Sequence, residues 1–173
     1  ARLDFLRCQL TERGAPCPSD VPSPFPQDRP PAAVAGDAMR IAYVGHASFL
    51  VQARGRTIVI HPEWAERATP LSYVGAKRAN PPGIAFDDLP PIQCVLVTHN
   101  HYDHLDAPTM QRLAREHRPR IYTALGVGAY LDTIGVSNWV DMDWWDEIDL
   151  PNGSRLTCLP AQHFSGRGLF DRN

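Results

Sequence analysis

The sequence predicts one layered α/β domain, and three observations support this fold class. Three short apolar segments follow one another between residues 40 and 60 with tight connections, as strands do in an antiparallel meander. Patterns typical of strands and helices then alternate as far as residue 159, which favours stacked layers of sheet and helix. A cluster of histidines and aspartates at residues 99–106 directly follows a strand-like segment, where α/β proteins commonly place their sites.

The composition is that of an ordinary globular protein. The 173 residues suit one domain, and contents of 43% hydrophobic and 21% charged residues are typical values. A net charge of −2 gives no basic footprint, so we predict no nucleic-acid partner. No apolar run approaches the roughly 20 residues that a membrane-spanning helix needs.

Residues 1–38 are expected to form an extended arm, and residues 39–173 the compact domain. Proline is dense in the second half of the arm, and because proline fixes φ and lacks a backbone donor, regular structure is disfavoured there. We expect the arm to wrap the domain surface, with Phe5, Leu6 and Phe25 as anchors. The alternatives are disorder and contact with a partner.

The four cysteines form no Cys-x-x-Cys metal-binding pair. Cys94 and Cys158 lie in apolar segments and are expected to be buried thiols. Cys8 and Cys17 lie in the arm and could form a disulfide in an oxidising compartment.

The compact domain begins with the predicted meander and continues with strand and helix units. A long irregular segment, residues 63–91, separates the meander from the next strand, and a loop of that length is usually functional or partly disordered. Asp106 can cap the helix that follows the cluster, with Met110 and Leu113 on its apolar face. We expect strands at 40–45, 47–52, 57–60, 94–97, 120–123, 136–142, 148–150 and 155–159, and helices at 107–118 and 128–134, with a hairpin turn at Asn152-Gly153.

The cluster itself indicates metal chemistry. Three imidazoles and two carboxylates lie close together in the sequence, and burying them costs free energy unless every group is bonded. Imidazole nitrogen and carboxylate oxygen are the usual ligands of zinc and of other first-row metals. The alternative is a histidine-rich surface loop. The members of the cluster are His99, His101, Asp103, His104 and Asp106.

One more histidine, His163, also follows a predicted strand, and its addition favours two metal ions over one. A structural zinc needs four ligands, whereas five candidates are now available. His99, His101 and His163 could hold one ion, and Asp103 with His104 could hold the other. Two ions about 3.5–4 Å apart can bridge a water, lower its pKa and stabilise a leaving oxygen. Asp106 is better placed as a helix cap or as a support behind the ligands.

The pattern His-Asn-His-Tyr-Asp-His at residues 99–104 resembles the HxHxDH signature of the metallo-β-lactamase-fold hydrolases. More narrowly, four blocks resemble the N-acyl-phosphatidylethanolamine phospholipase D group and its bacterial relatives. They are residues 43–51, residues 98–106, the Asp-Met-Asp-Trp-Trp run at 141–145, and Pro-Ala-Gln-His at 160–163 followed by Arg167 and residues 171–173. The resemblance covers the chain from about residue 39 onward.

The resemblance implies the N-terminal half of an αββα sandwich and a di-zinc hydrolase. The implied activity uses a metal-bound hydroxide to cleave a phosphodiester, in the manner of phospholipase D on a phospholipid. By position, His99, His101 and His163 match the ligands of one zinc, and Asp103 and His104 those of the second. Asp103 and His104 are the expected catalytic residues. His46 matches a motif histidine near the site that is not itself a ligand.

The same resemblance exposes two departures. The family's second half supplies a bridging aspartate and another histidine, so we expect a second chain or a C-terminal half to complete the site, and without it the chain would expose a half-core. Relatives usually carry Asp-Pro after the third strand, where this chain has His61-Pro62. His61 either replaces that support or marks an altered activity. Iron or manganese could take the place of zinc.

Several alternatives stay open at this level. The substrate could be a lactone or a nucleotide phosphodiester, and the chain could be a metal-binding half-domain that is inactive without its partner. Arg167 could meet a phosphate or lie in solvent. A homo-oligomer and a peripheral membrane contact, the latter through Lys77 and Arg78, are further expectations. The Trp144-Trp145 pair could line a substrate groove, although buried packing is the favoured interpretation.

Overall fold

The computed structural model describes residues 23, 25–69, 73, 75 and 77–168. Within these residues the regular elements are mostly those that the sequence predicts, with ends that differ by at most three residues. They are β1 Met39–Gly45, β2 Ser48–Ala53, β3 Arg56–Ile60, a 3₁₀ turn Phe86–Asp88, β4 Cys94–Val97, α1 Ala107–Glu116, β5 Arg120–Ala124, α2 Val127–Thr133, β6 Trp139–Met142, β7 Glu147–Asp149 and β8 Arg155–Thr157.

The first six strands form one sheet in chain order, from β1 to β6. The strands β1, β2 and β3 pair antiparallel, as the predicted meander requires, and β3 to β6 pair parallel through the α1 and α2 crossovers. The strands β7 and β8 form a separate antiparallel hairpin. The strand β1 runs parallel to β3. The carboxyl ends of five strands therefore lie side by side at the same end of the sheet, namely those of β1, β3, β4, β5 and β6.

One face of the sheet holds the core. A single register row crosses it, in which Leu50 pairs with Val59, Val59 with Val95, and Val95 with Ile121. These four side chains are at most 1% exposed. Both helices pack on this face because right-handed crossovers place them on the same side of a parallel sheet. Their contributions to the same cluster include Met110, Leu113 and Leu131.

The opposite face of the sheet is apolar but only partly covered. Tyr43 pairs with Phe49, and Phe49 with Ile60, along a second register row. Tyr43 is 60% exposed, and Ile41 on the same face is 58% exposed. An apolar face of this kind is what one half of a two-sheet sandwich presents. The described residues therefore have the half-sandwich architecture that the sequence predicts.

The two helices begin with caps of different origin. The Asp106 carboxylate accepts the Thr109 amide at 3.2 Å and also the Thr109 hydroxyl, which confirms the predicted cap of α1. The start of α2 is capped from a distant strand, since Asp141 of β6 accepts the amides of Gly126 and Gly128 at 2.7 and 2.9 Å. The first cap is visible in the local sequence, whereas the second depends on the sheet.

The described end of the arm lies against the domain. The Asp28 amide donates to the Gly83 carbonyl at 2.7 Å, and the Gln52 side chain donates to the Pro31 carbonyl at 2.8 Å. These contacts agree with a wrapping arm. The expectation that Phe25 anchors the arm is wrong, because Phe25 is 78% exposed. Phe5, Leu6, Cys8 and Cys17 lie outside the described residues, and the boundary at residues 38 and 39 stays a prediction.

Of the other expectations about burial, one is confirmed and two need correction. Cys94 is buried as predicted, and burial raises the pKa of its thiol to about 12, but Cys158 is only partly buried because it follows the edge of a two-stranded hairpin. Trp144 and Trp145 are 63% and 67% exposed, so buried packing is wrong for them. They occupy a turn between two sheets, where no layer formed by the described residues covers them.

Lys77 and Arg78, the basic pair expected to contact lipid, differ in their exposure. Lys77 is exposed and lies 3.2 Å from Glu66, whereas the Arg78 side chain is only 15% exposed and pairs with buried Glu63. Arg78 is therefore not free to meet a headgroup. In the part of the chain that the structure describes, no helix has the length and apolar character to cross a membrane.

Candidate metal centre

The candidate centre lies at the sheet edge where the strand ends meet. His46 follows β1, His61 follows β3, and the 99–104 loop follows β4. The His61 amide donates to the Leu96 carbonyl at 2.9 Å, which continues the pairing of β3 with β4 up to the site. Ligands of α/β proteins commonly bind outside the carboxyl ends of strands. Topology alone thus gathers histidines that are more than 50 residues apart.

The first group of candidate ligands is the one that the sequence predicts for one ion. One ligand atom from each of His99, His101 and His163 lies within 4.8 Å of the others. The ring centroids are 4.7 Å apart for His99 and His101, 4.6 Å for His99 and His163, and 5.1 Å for His101 and His163. His163 is exposed, while the other two are partly buried.

The second group contains Asp103 and His104, as expected, together with His46. Their ligand atoms also lie within 4.8 Å of one another. Nε2 of His46 is 2.8 Å from Oδ2 of Asp103, and Nε2 of His104 is 3.4 Å from the same oxygen. The sequence places His46 near the site but not among the ligands. The structure puts its ring nitrogen within reach of a shared ion, and its role stays a prediction.

The two groups of candidate ligands adjoin. The rings of His99 and His104 have centroids 4.1 Å apart, and these two residues form a further candidate group with His61. A pair of ions held by neighbouring residues is the arrangement that two-metal hydrolytic sites use.

His61 is placed to orient His104. Its Nε2 accepts the Thr98 amide at 3.3 Å and lies 2.9 Å from the Thr98 hydroxyl, so the ring proton belongs on Nδ1. Nδ1 of His61 is 3.1 Å from Nδ1 of His104. The two rings are thus in direct contact, and His61 also belongs with His99 and His104 to a third candidate ligand group. The predicted supporting role stays a prediction, and this contact agrees with it.

Burial and neighbouring charges keep three of these imidazoles neutral, those of His61, His99 and His104. Burial, followed by the charges of neighbouring histidines, lowers the pKa of His99 to about 3. Burial and the charge of His104 lower the pKa of His61 to about 4, and burial lowers the pKa of His104 against the opposing Asp103. Metal ions bind only the neutral form of imidazole. These three rings are therefore in their ligating state at neutral pH.

Asp103 is held in its ionised state. Burial raises the pKa of the carboxyl, but the hydrogen bond from His46 and the charge of His104 act in the other direction, and the net pKa is lowered. An ionised carboxylate can accept hydrogen bonds or bind a cation.

One atom tests whether these residues fit a metal ion. Nε2 of His99 is buried and has no hydrogen-bond partner among the described residues. A buried polar atom without a partner costs about 1–3 kcal/mol. A metal ion would satisfy this nitrogen, and His101 and His163 flank it. The residues present therefore fit the metal that their chemistry indicates.

His163 reaches the cluster through a residue that the sequence analysis did not single out. The Asn100 side-chain oxygen accepts the Ser165 hydroxyl at 2.8 Å and the Gly166 amide at 2.6 Å, and the Asn100 amide donates to Ser165 Oγ at 3.0 Å. These bonds fix the segment that carries His163 onto the loop. Asn100 occupies a variable position of the HxHxDH pattern. The one sequence feature that could have indicated its role in fixing His163 is an amide side chain between two candidate ligands.

Arg167 completes the same attachment. Its Nη1 donates to the carbonyls of Asn100 and Leu105, each at 2.8 Å, and its guanidinium lies 3.9 Å from the ring centroid of Tyr102 and 4.4 Å from that of Tyr130. The phosphate contact of Arg167 stays a prediction. The observed contacts give it a role in fixing the loop.

A separate cavity of about 690 Å³ lies against the same loop. Its lining includes Asn100, Tyr102, Asp106, Tyr130 and Arg167, and none of the cluster's histidines. The chemistry of the cluster and the space of this cavity are thus distinct features.

Comparison with known proteins agrees with the fold. The family described as beta-lactamase superfamily domain matches residues 56–173. A Caenorhabditis elegans protein named N-acyl-phosphatidylethanolamine-hydrolyzing phospholipase D 1 is 38% identical over 141 residues, which cover 76% of this chain and 39% of that protein. The chain thus spans about two fifths of the length of that relative.

Two solved structures have the same architecture. The diiron β-hydroxylase CmlA from Streptomyces venezuelae is 28% identical, with a TM-score of 0.54, over 73% of this chain and 24% of that one. A metallo hydrolase from the archaeon Ignicoccus hospitalis is 21% identical, also with a TM-score of 0.54, over 75% of this chain and 52% of that one. The second likeness concerns the fold alone.

Proposed function

The chain belongs to the β-lactamase superfamily domain family, and from that premise we propose that it carries the metal ligands of a two-metal hydrolase that cleaves a phosphodiester of a phospholipid. The observation that supports this most is the meeting of two ligand groups beside the buried Nε2 of His99, which has no hydrogen-bond partner among the described residues. A buried polar atom without a partner is costly unless a cation satisfies it.

In this proposal each residue has a defined task. His99, His101 and His163 hold one ion, and Asp103 and His104 hold the other. When bound, the ions supply Lewis acidity, which lowers the pKa of a water and stabilises charge on phosphoryl oxygens. The ionised Asp103 carboxylate also accepts a hydrogen bond from the attacking water and orients it.

The substrate class rests on a relative. The C. elegans protein is named for hydrolysis of N-acyl-phosphatidylethanolamine, and its similarity covers 76% of this chain. We carry the phospholipid phosphodiester to this chain as the proposed substrate. Zinc is the proposed metal. Iron is the alternative that the likeness to the diiron protein CmlA supports, since imidazole and carboxylate ligands suit both metals.

The proposal includes a second sheet. The partly exposed face around Tyr43 and Ile41 would pack on it, and the same unit would add an aspartate and a histidine to the ions. Another chain, a further copy of this one or a C-terminal half could supply it. Peripheral contact with a bilayer would deliver the lipid.

Metal content and hydrolysis of bis(p-nitrophenyl) phosphate test the proposal. We expect two metal ions per chain by mass spectrometry of the elements, and turnover that His101→Ala reduces at least about 100-fold because an ion is lost. His117→Ala is the matched control, since His117 lies at the end of α1 and bonds only the Ile92 amide among the contacts described for its ring nitrogens. One ion or none, with no turnover, would instead indicate an inactive half-domain.

A further inference from the structure

Two histidines of the cluster adopt backbone conformations that are rare for residues with a side chain. The φ angle is 51° at His46 and 46° at His61, both in the left-handed region. His46 lies in the β1–β2 turn and His61 just beyond β3, so neither lies within a strand. Such conformations persist only where surrounding contacts hold them.

A buried ion pair lies beside both histidines. Glu63 is 4% exposed, and its carboxylate pairs with the Arg78 guanidinium. Arg78 also donates to the carbonyls of Glu63 and Ala65 at 2.8 and 3.3 Å, and its amide donates to the Glu66 carbonyl at 2.7 Å. A buried ion pair is weak support for stability by itself, because desolvation offsets its attraction. Its geometric effect is the more informative property.

The guanidinium of Arg78 packs against the turn that carries His46. Gly45 has a φ of +145°, and a Cβ built at Gly45 would lie 2.6 Å from Nη1 of Arg78. The absence of a side chain at position 45 therefore lets Arg78 lie directly on the backbone next to His46. Arg78 thus connects the β1–β2 turn with the segment that follows β3.

Ser48 connects the same two segments from inside the core. The Ser48 side chain is fully buried; its hydroxyl donates to the His61 carbonyl at 2.5 Å and accepts the Glu63 amide at 3.2 Å. Ser48 thereby fixes the backbone on both sides of Pro62, and with it the direction in which the His61 ring leaves the chain.

We propose that Ser48, Glu63 and Arg78 form a positioning network that sets His46 against Asp103 and His61 against His104, and so determines the affinity of the second metal site. The contacts that it sets are the 2.8 Å bond from His46 to Asp103 and the 3.1 Å contact from His61 to His104. The effect on affinity rests on the proposed function, because it takes that site to bind metal.

The test uses Arg78→Lys and Glu63→Gln in the 173-residue chain. Arg78→Lys keeps the charge but loses the planar fork that makes several bonds at once. Glu63→Gln keeps the shape and loses the charge, and it carries the test should Arg78→Lys fail to fold by circular dichroism. Arg112→Lys is the matched control, because Arg112 pairs with Glu116 and Asp87 on the surface.

Two measurements are needed, one of them independent of metal. Long-range ¹H–¹⁵N spectra of the metal-free, histidine-labelled chain should show displaced ring resonances for His46 and His61 but not for His163. Zinc competition with a chromophoric chelator should show about tenfold weaker binding at the second site and less than a twofold change at the first. The variant His163→Ala identifies which dissociation constant belongs to the first site.

The outcomes separate the positioning network from the proposed function. Unchanged resonances and unchanged zinc affinities in folded variants overturn the network, even where the wild-type chain binds two ions. Displaced resonances of His46 and His61 in a wild-type background that binds no metal support the network as a positioning device and overturn the proposed function. Equal weakening of both sites, or an effect of Arg112→Lys of the same size, overturns the network.

Discussion

The two flanks of the metal cluster are held in different ways. The turn flank, residues 45–48 and 61–63, is fixed by buried groups, with Ser48 fully buried and Glu63 4% exposed. The hairpin flank, residues 163–167, lies beyond β8 with His163 exposed and residues 165–167 partly buried, and it is fixed by Asn100 and by the carbonyls that Arg167 contacts. Segments with fewer buried groups open more readily by local unfolding. We therefore expect the turn flank to be the more rigid of the two.

The largest expected effect concerns Asn100→Ala, which removes the acceptor that holds the hairpin flank. The Ser165 hydroxyl and the Gly166 amide lose their partner, so His163 is no longer fixed beside His99. We expect zinc at the first site to bind about 10- to 100-fold more weakly, with less than a twofold change at the second site, in chelator competition. Asn152→Ala in the β7–β8 turn is the control. Equal loss at both sites would show that the flanks are not independent.

The next effect is a pH dependence that belongs to His61 and His99. The pKa values of His61 and His99, about 4 and about 3, lie below the ordinary value of 6.5. Below pH 6.5 the unfolded state therefore binds protons that the folded state does not bind. Stability is therefore full above pH 6.5 and decreases as the pH falls toward 4. For the metal-free chain we expect a loss of about 1–2 kcal/mol between pH 7 and pH 5 in urea unfolding, after allowance for solvent screening.

His61→Gln serves as the check on this pH effect. It should remove the part of the pH-dependent loss of stability that His61 causes and leave the part that His99 causes. A stability that is constant from pH 7 to pH 5 in the wild-type chain would contradict the burial of these rings.

The smallest effect is that of Tyr102→Phe. The Tyr102 hydroxyl donates to the Arg167 carbonyl at 3.1 Å, and the ring beneath the guanidinium is kept. Loss of one hydrogen bond should cost about 0.5–1.5 kcal/mol in thermal unfolding and weaken the first site about twofold. Tyr73→Phe is the control because Tyr73 is 76% exposed. A larger effect on the second site than on the first would contradict the placement of Tyr102 with the hairpin flank.

The sequence predicts the parts of this molecule that follow from local pattern. Alternation, short apolar runs and the Asn152-Gly153 turn locate the strands of the sheet and of the hairpin to within a few residues. The side chain of Asp106 caps the residue three positions ahead, so that cap is a local property too. The dense histidines at 99–104 identify a candidate metal centre without any knowledge of the fold.

What the sequence could not predict depends on contacts between distant segments. Glu63 and Arg78 lie in a loop without periodicity, and their pairing is visible only when that loop folds back onto the β1–β2 turn. The Asp141 cap of α2 depends on the pairing of β5 with β6. Trp144 and Trp145 have the composition of core residues, but a turn between two sheets leaves them exposed.

The contact between Gly45 and Arg78 also constrains how this fold can vary. Any side chain at position 45 would meet Nη1 of Arg78 at 2.6 Å. A substitution at position 45 would therefore displace the guanidinium of Arg78, and the φ of +145° would strain any side chain there. A shorter side chain at position 78 would relieve the first of these costs but not the second. Position 45 is thus constrained both by its own backbone and by a residue 33 positions away.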